Sequence, residues 1–107
     1  MLRTHTCNEL RDEHIGQKVT LAGWVNTIRD HGGVIFLDLR DHFGLTQVVI
    51  HDESMLAGVN RETVIQVKGE VVARDEETVN EKLETGHVEV MVEELTVLGP
   101  SRKQVEF

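Results

Sequence analysis

Three side chains in the sequence have the chemistry needed to contact unpaired nucleic-acid bases. Phe36 carries an aromatic ring that can stack on a base, a contact worth about 1 to 3 kcal/mol. The carboxamide of Gln47 offers a donor and an acceptor to a base edge such as that of uracil, and the carboxylate of Glu89 can accept from guanine. Each residue also has a structural interpretation: Phe36 covers the end of the core or packs under a loop, and the two polar residues are ordinary solvated groups.

Residues for enzymatic chemistry are not brought together by any recognisable motif. The sequence has no Gly-rich phosphate-binding loop, no Cys-x-x-Cys and no His-Glu-x-x-His. Its one cysteine excludes an intramolecular disulfide, and no cationic start followed by an apolar run marks a signal peptide or a membrane span. We therefore predict no catalytic residue, metal site or cofactor in this chain, and a cytoplasmic location. The histidines lack metal-ligand spacing and are interpreted as loop or surface residues: His5, His14, His31, His42, His51 and His87.

The elements that would position the base-contacting side chains are short strands, each predicted from the alternation of apolar and polar residues. The five strands cover about residues 18–26, 35–40, 45–50, 65–74 and 88–95. Gly23, inside the first strand, suggests a bend or bulge. The intervening runs Arg29–Gly33, Asp41–Gly44 and 75–86 are predicted as a turn, a tight return and a long loop.

Two helical segments complete the predicted fold. The run Thr6–Glu9 fits a capping box and predicts a short N-terminal helix that ends near Glu13. Residues 54–61 are predicted to form a loop with a helical turn between the third and fourth strands. Five strands, a bend in the first and this helical connection match the OB-fold, an all-β, five-stranded Greek-key barrel. An SH3-like barrel is the nearest alternative.

One outward face of the predicted barrel would carry the base-contacting residues. If the apolar residues of the second strand face the core, alternation places Phe36 outside with Asp38 and Arg40. Trp24 is open to the same alternatives as Phe36, and packing is favoured for it. The net charge of -8 argues against nucleic-acid binding, because phosphate contacts need cations. Cations predicted on or beside the face would make it locally basic and weaken that objection: Arg29, Arg40, Lys68 and Arg74.

Five runs of the sequence carry a resemblance to a known family: Arg3–Cys7, Val19–Val25, Arg29–Asp41, Gly44–Val49 and Gly86–Val90. They resemble the N-terminal anticodon-binding domain of bacterial aspartyl-tRNA synthetases, and the similarity covers nearly all of residues 2 to 100. The resemblance implies a tRNA anticodon platform of a class II ligase. The full-length enzyme would use ATP and Mg²⁺ to activate aspartate and would esterify it to the 3′ end of the tRNA.

The resemblance also implies a role for individual residues. Phe36 would stack on the middle anticodon base, a uracil, and Gln47 would pair with the edge of that base. Glu89 would recognise the first-position guanine or its modified form. Arg29 would contact the third-position cytosine or the adjoining backbone, and Arg74 would help to hold the loop after the fourth strand against the RNA.

The sequence departs from the family pattern in its cations. The family usually carries further arginines where this chain has Thr27 and Ile28, and often one at Val72. Fewer cations predict weaker phosphate contacts and a shallower salt dependence. His31 lies in the run where the family contacts the edge of the anticodon, and some members accept both aspartate and asparagine tRNAs, so dual specificity is open.

The resemblance sets the expected organisation and partners. Residues 1–100 are predicted to form the OB-fold domain and residues 101–107 to begin a linker to a catalytic domain outside this chain. The expected partner is the anticodon loop of tRNA(Asp), with tRNA(Asn) as a second candidate. The chain is expected to be monomeric and the full-length enzyme a homodimer. A stand-alone single-strand binder and a protein-binding or engineered scaffold are the competing hypotheses.

Overall fold

A closed barrel of five strands is the architecture of the computed structural model, which describes residues 3–74 and 85–99. The order around the barrel is β1-β2-β3-β5-β4, and β4 closes the ring against β1. Neighbouring strands are antiparallel except β3 and β5, which run parallel. This arrangement confirms the predicted five-stranded OB-fold barrel. The strands are β1 (Lys18–His31), β2 (Val34–Arg40), β3 (Leu45–Ile50), β4 (Val64–Ala73) and β5 (Val88–Gly99).

The first strand is longer than predicted because it serves two neighbours. Its first half pairs with β4 and its second half with β2. The predicted turn at Arg29–Gly33 is therefore wrong in part: β1 continues to His31, and the reversal uses Gly32 and Gly33, whose φ angles of 63° and 91° favour glycine. The side chain of Asp30 accepts a hydrogen bond from the Gly33 amide at 3.1 Å and closes this hairpin.

The bend in β1 lies beyond the glycine that suggested it. Its register against β2 shifts between Val25 and Thr27, so the irregularity is there and not at Gly23. Gly23 instead permits a close approach of two strands, since a Cβ on it would lie 2.3 Å from the backbone oxygen of Arg40. The bulge re-aims the second half of β1, which carries Arg29.

The predicted N-terminal helix is wrong. Residues 7–9 form a turn, and the helical structure is one 3-10 turn, Asp12–His14. The Glu9 carboxylate accepts from the Thr6 amide at 2.9 Å, as in a capping box, but the backbone of Cys7 bonds elsewhere. The Cys7 amide donates to Asp41 at 2.8 Å, and its carbonyl, which a helix would pair with an amide four residues on, accepts from the Thr46 hydroxyl at 2.6 Å.

The connection between β3 and β4 contains one short 3-10 helix, Glu53–Leu56. The side chain of Asp52 accepts a hydrogen bond from the Ser54 amide at 3.0 Å and so caps its start. The predicted loop at 75–86 lies outside the described residues except for its last two positions. Among residues 3–74 and 85–99, no helix is long and apolar enough to cross a membrane.

The core is formed by the alternating apolar side chains of all five strands. The inward face predicted for β2 is confirmed, because its apolar residues are buried in the same cluster as those from the middle of β4. Trp24 is 5% exposed, and its ring meets that of His42 edge to face, so the packing interpretation is confirmed. Cys7 and Leu10, from the segment predicted as a helix, are fully buried in the same cluster.

Candidate nucleic-acid interface

The outer surface of the barrel carries a connected set of polar side chains centred on Gln47. Arg29 and Arg74 each donate a hydrogen bond from Nη2 to Oε1 of Gln47, at 2.9 and 3.1 Å. Nε2 of Gln47 donates to Oε1 of Glu89 at 3.1 Å. Arg29 also bonds the carboxylate of Asp38. These five residues, named here the Gln47 cluster, join four of the predicted site residues and one, Asp38, that was not predicted.

Strand register explains why these residues meet. Pairing of β1 with β2 places Arg29 beside Phe36, and pairing of β2 with β3 places Asp38 beside Gln47. Glu89 lies on β5, the parallel neighbour of β3. Arg74 directly follows β4, where its amide bonds the carbonyl of His87 at 2.9 Å.

The pair of Arg29 and Asp38 is the firmest part of the Gln47 cluster. Asp38 accepts from Nη1 and Nη2 of Arg29 at 2.7 and 3.2 Å and also from the hydroxyl of Thr27. The hydrogen bond to Asp38 raises the pKa of Arg29. Burial pushes the pKa of Asp38 up, but the bonds from Arg29 and Thr27 and the cationic charges outweigh burial and leave that pKa lowered.

Arg74 is held more weakly than Arg29. Burial lowers its pKa, and the charges of Glu89 and Asp38 only partly offset that effect. Its Nε is buried and has no hydrogen-bond partner within the described part of the chain. The guanidinium donates to the neutral oxygen of Gln47, and no carboxylate of the described residues forms an ion pair with it. Arg74 therefore has unused capacity for an anionic acceptor.

Gln47 is not exposed to solvent, so its interpretation as an ordinary solvated group is wrong. The residue is 3% exposed, although it points to the outside of the barrel beside Asp38. Its oxygen accepts from two guanidinium groups, and its nitrogen donates to a carboxylate. A buried carboxamide with these bonds has a defined orientation.

Phe36 and His31 form an aromatic pair beside the Gln47 cluster. Phe36 is partly exposed on the outer side of β2, on the same side as Asp38. The rings of His31 and Phe36 meet edge to face, with centroids 5.5 Å apart and an angle of 74° between their planes. His31, predicted in a loop, is the last residue of β1 and is exposed.

The Gln47 cluster by itself is not basic, although a locally basic face was predicted around it. The arginines of the Gln47 cluster are accompanied by two carboxylates, Asp38 and Glu89, so formal charges balance. Lys68 lies elsewhere: it pairs with Thr20 and Glu94, and its ammonium lies 3.9 Å from the Glu94 carboxylate. Arg40 is exposed at the end of β2, two residues beyond Asp38 and on its side of the strand.

Asp38 and Thr27 are the polar groups that the sequence analysis missed as parts of the site. The available signal was alternation, which places Asp38 between Phe36 and Arg40. The bulge in β1 decides which residue of that strand meets Asp38, and it selects Thr27. Within residues 3–74 and 85–99, no group of three His, Cys, Asp or Glu side chains is arranged to hold a metal ion.

A closed five-stranded barrel with an aromatic ring and a bonded polar cluster on its outer surface defines the OB-fold class of binding domains. Residues 19–98 match the family described as OB-fold nucleic acid binding domain, and the chain belongs to this family.

Two bacterial ligases are similar in sequence to most of this chain. It is 52% identical over 100 residues to an aspartate–tRNA(Asp/Asn) ligase of Ehrlichia ruminantium, covering 89% of this chain and 17% of the relative. It is 54% identical over 101 residues to the ligase of the same name from Pseudarthrobacter chlorophenolicus, covering 94% of this chain and 17% of the relative. The chain thus spans about a sixth of the length of these relatives.

Two solved structures share the fold closely. Asparaginyl-tRNA synthetase from Pyrococcus horikoshii superposes with a TM-score of 0.74 and 34% identity, over 92% of this chain and 24% of that one. An OBody bound to hen egg-white lysozyme superposes with a TM-score of 0.79 and 27% identity, over 92% of this chain and 95% of that one.

Proposed function

We propose that this chain is the anticodon-reading domain of an aspartate–tRNA ligase. The observation that carries the proposal is the Gln47 cluster beside Phe36, in a chain 52% identical over 100 residues to a ligase of that name. A partly exposed ring next to a carboxamide of defined orientation suits stacking and edge recognition of one unpaired base. Residues 1–100 would be this domain, and 101–107 would begin a linker to a catalytic domain.

Each predicted site residue takes its role in this proposal. Phe36 stacks on the middle anticodon base, a uracil, and Gln47 pairs with the edge of that base. Glu89 accepts from the first-position guanine, as the acceptor-only chemistry of a carboxylate allows. Arg29 contacts the third-position cytosine or the adjoining backbone, and Arg74 helps to hold the loop after β4 against the RNA.

His31 lies at the edge of this surface, and we propose that it affects the discrimination between two tRNAs. The relatives are named as ligases for tRNA(Asp/Asn), and the aspartate and asparagine anticodons differ at the third position. We infer that the chain accepts both anticodon loops, with His31 beside the variable base. Titration of the two loops in parallel tests this, and a preference for one loop of more than about tenfold would contradict it.

The full-length protein would then carry the chemistry that this chain does not. It would use ATP and Mg²⁺ to activate aspartate, act as a homodimer in the cytoplasm and use this domain to select tRNA. The domain by itself would bind RNA weakly as a monomer, because its arginines are balanced by carboxylates in a chain of net charge -8.

A titration with short RNAs tests the proposal. The chain is titrated at low salt with an aspartate anticodon stem-loop, with the same stem carrying an unrelated loop, and with an unstructured strand of equal length. We expect tightest binding to the aspartate loop. Equal binding to all three would indicate a general single-strand binder. No binding to any of them at low salt would favour a protein-binding role, as in the OBody bound to lysozyme.

A further inference from the structure

Gln47 is the residue proposed to read a base, yet no base can reach its carboxamide in the arrangement described. The residue is 3% exposed, and both ends of its carboxamide are engaged by Arg29, Arg74 and Glu89. Reading a base edge requires that at least one of these side chains move. The structure indicates which of the two arginines is held less firmly.

Arg29 is fixed from a second direction by the Asp38 carboxylate, whereas no carboxylate of residues 3–74 and 85–99 is bonded to Arg74. Arg29 makes two bonds to the carboxylate of Asp38, at 2.7 and 3.2 Å, in addition to its bond to Gln47. The Arg74 guanidinium makes a 3.1 Å bond to the neutral Gln47 oxygen, while its Nε has no partner among the described residues. A bond from a cation to a neutral oxygen is weaker than one to an anion.

We propose that Arg74 covers Gln47 in the unliganded chain and that an RNA phosphate draws it away, so that base reading by Gln47 depends on that phosphate. The Gln47 oxygen is neutral, yet it accepts from two guanidinium groups, which bond more strongly to an anionic oxygen. A phosphodiester offers Arg74 a charged acceptor for the atom now bonded to Gln47 and for the unpaired Nε. Arg29 remains on Asp38 and Glu89 on the Gln47 nitrogen, and the departure of Arg74 frees one lone pair of the Gln47 oxygen to accept a hydrogen bond from the base edge.

This inference rests on the proposed function and adds a coupling to it. A fixed arginine would contribute the same affinity whichever base stood opposite Gln47. An arginine that covers Gln47 also controls the preference between bases, because Gln47 can contact a base only after Arg74 has moved away. The distinguishing quantity is the preference for uracil over cytosine at the middle anticodon position, measured with and without the phosphate charge.

The experiment measures dissociation constants for aspartate stem-loops that carry uracil or cytosine at the middle position. Each loop is made with natural phosphates and with one anticodon phosphate at a time replaced by an uncharged methylphosphonate. We expect the parent chain to prefer uracil by about three- to tenfold, as for one gained hydrogen bond. Neutralising one particular phosphate should reduce that preference to less than about twofold, while the other replacements preserve it.

Arg74→Ala provides the second arm, and Arg61→Ala is its matched control. Arg61 loses the same charge but lies outside the Gln47 cluster, where its Nε bonds the backbone oxygen of Asn26 at 3.2 Å. Without the cover, Arg74→Ala should bind all loops more weakly and keep its uracil preference whichever phosphate is neutralised. Arg61→Ala should keep the dependence of the parent. Thermal unfolding establishes that both variants fold, and the parent arm stands alone if Arg74→Ala does not.

Two results would overturn the coupling and leave the proposed function standing. In one, the parent prefers uracil equally with every phosphate replaced; in the other, Arg74→Ala retains the phosphate dependence of the parent. A parent chain with no preference among anticodon loops would instead overturn the proposed function and this inference with it.

Discussion

Oδ2 of Asp38 lies 2.7 Å from Nη1 of Arg29, and Oδ1 lies 3.2 Å from Nη2, so carboxylate and guanidinium meet through two parallel bonds across neighbouring strands. Asp38 is the less exposed partner, at 16% against 41% for Arg29. Arg29 is thereby held in one orientation while its Nη2 still reaches Gln47. The proposed RNA site is thus partly ordered in the unliganded chain, an arrangement that lowers the entropic cost of binding.

Asp38→Asn should lower the free energy of unfolding at neutral pH by about 0.5 to 1 kcal/mol, a modest loss because Arg29 is partly exposed to water. The pKa of Asp38 is lowered in the folded chain. Its stabilising contribution is therefore complete above its ordinary pKa and is lost as pH falls through the folded value. Urea unfolding of parent and variant should show a difference that shrinks below about pH 4. A difference that stays constant down to pH 2 would contradict this assignment.

Phe36→Ala should weaken binding of the aspartate anticodon stem-loop by about 1 to 3 kcal/mol, because a stacked base loses its platform. Phe43→Ala is the matched control, since Phe43 is 58% exposed in the turn after β2, where the guanidinium of Arg3 lies 5.3 Å from the centre of its ring. Fluorescence titration of a labelled loop measures both variants. Equal binding by parent and Phe36→Ala would remove Phe36 from the site, and equal losses in both variants would point to a general aromatic effect.

RNA binding should depend only shallowly on salt. Arg74, and Arg29 where it meets the backbone beside the third-position base, give at most two phosphate contacts in our proposal, and each contact on a single strand contributes a slope of about -0.7 in a plot of log K against log salt. We therefore expect a slope no steeper than about -1.4 between 50 and 200 mM salt. Repeating the titration at four salt concentrations gives the slope. A value steeper than about -3 would mean that cations outside this cluster carry the binding.

Gly69→Ala should destabilise the barrel by about 1 to 3 kcal/mol through overpacking. A Cβ on Gly69 would lie 2.1 Å from the backbone oxygen of Met91, at a shift in the register between β4 and β5. Neither backbone can withdraw without disturbing the sheet. Urea unfolding measures the loss, and Glu70→Ala, the next residue on the same strand, should have a smaller effect. Equal stability of Gly69→Ala and the parent would contradict this geometry.

Cys7 should resist thiol reagents in the folded chain. Burial raises the pKa of its thiol, and the nearby Asp41 carboxylate raises it further, so almost no thiolate forms at pH 8. Reaction with a disulfide reagent should be slow in buffer and should release one equivalent promptly in 8 M urea. Fast reaction without denaturant, at the rate of a small free thiol, would show that Cys7 is accessible.

The strands could be predicted from the sequence because a strand with one buried face alternates apolar and polar residues with a period of two. The inward residues of β2 needed only that local rule, and the position of Phe36 beside Asp38 followed from it. The glycine pair after His31 likewise marked a turn, although not how far β1 would run before it. The resemblance to a known family then suggested a ligand, a tRNA anticodon loop, which the alternation of residues could not indicate.

The N-terminal helix failed as a prediction because its local signal was weaker than distant contacts. Thr6 and Glu9 make one of the two bonds of a capping box, but Cys7 finds its backbone partners in Asp41 and Thr46, 34 and 39 residues away. Burial of Cys7 and Leu10 adds to that preference. A short helix is marginal by itself, so tertiary contacts decide whether it forms.

The sequence by itself determined the strands of this protein, their inward faces and the residue types able to meet a base, because these depend on neighbours one or two positions away. Only the tertiary structure decided that Gln47 is buried and bonded, since its partners Arg29, Arg74 and Glu89 lie 18, 27 and 42 residues from it along the chain. Barrel closure brings those residues together, and the bulge in β1 aims Arg29 and Thr27 at Asp38. Long-range register, which no local pattern encodes, thus turned separate polar residues into one site whose charges balance.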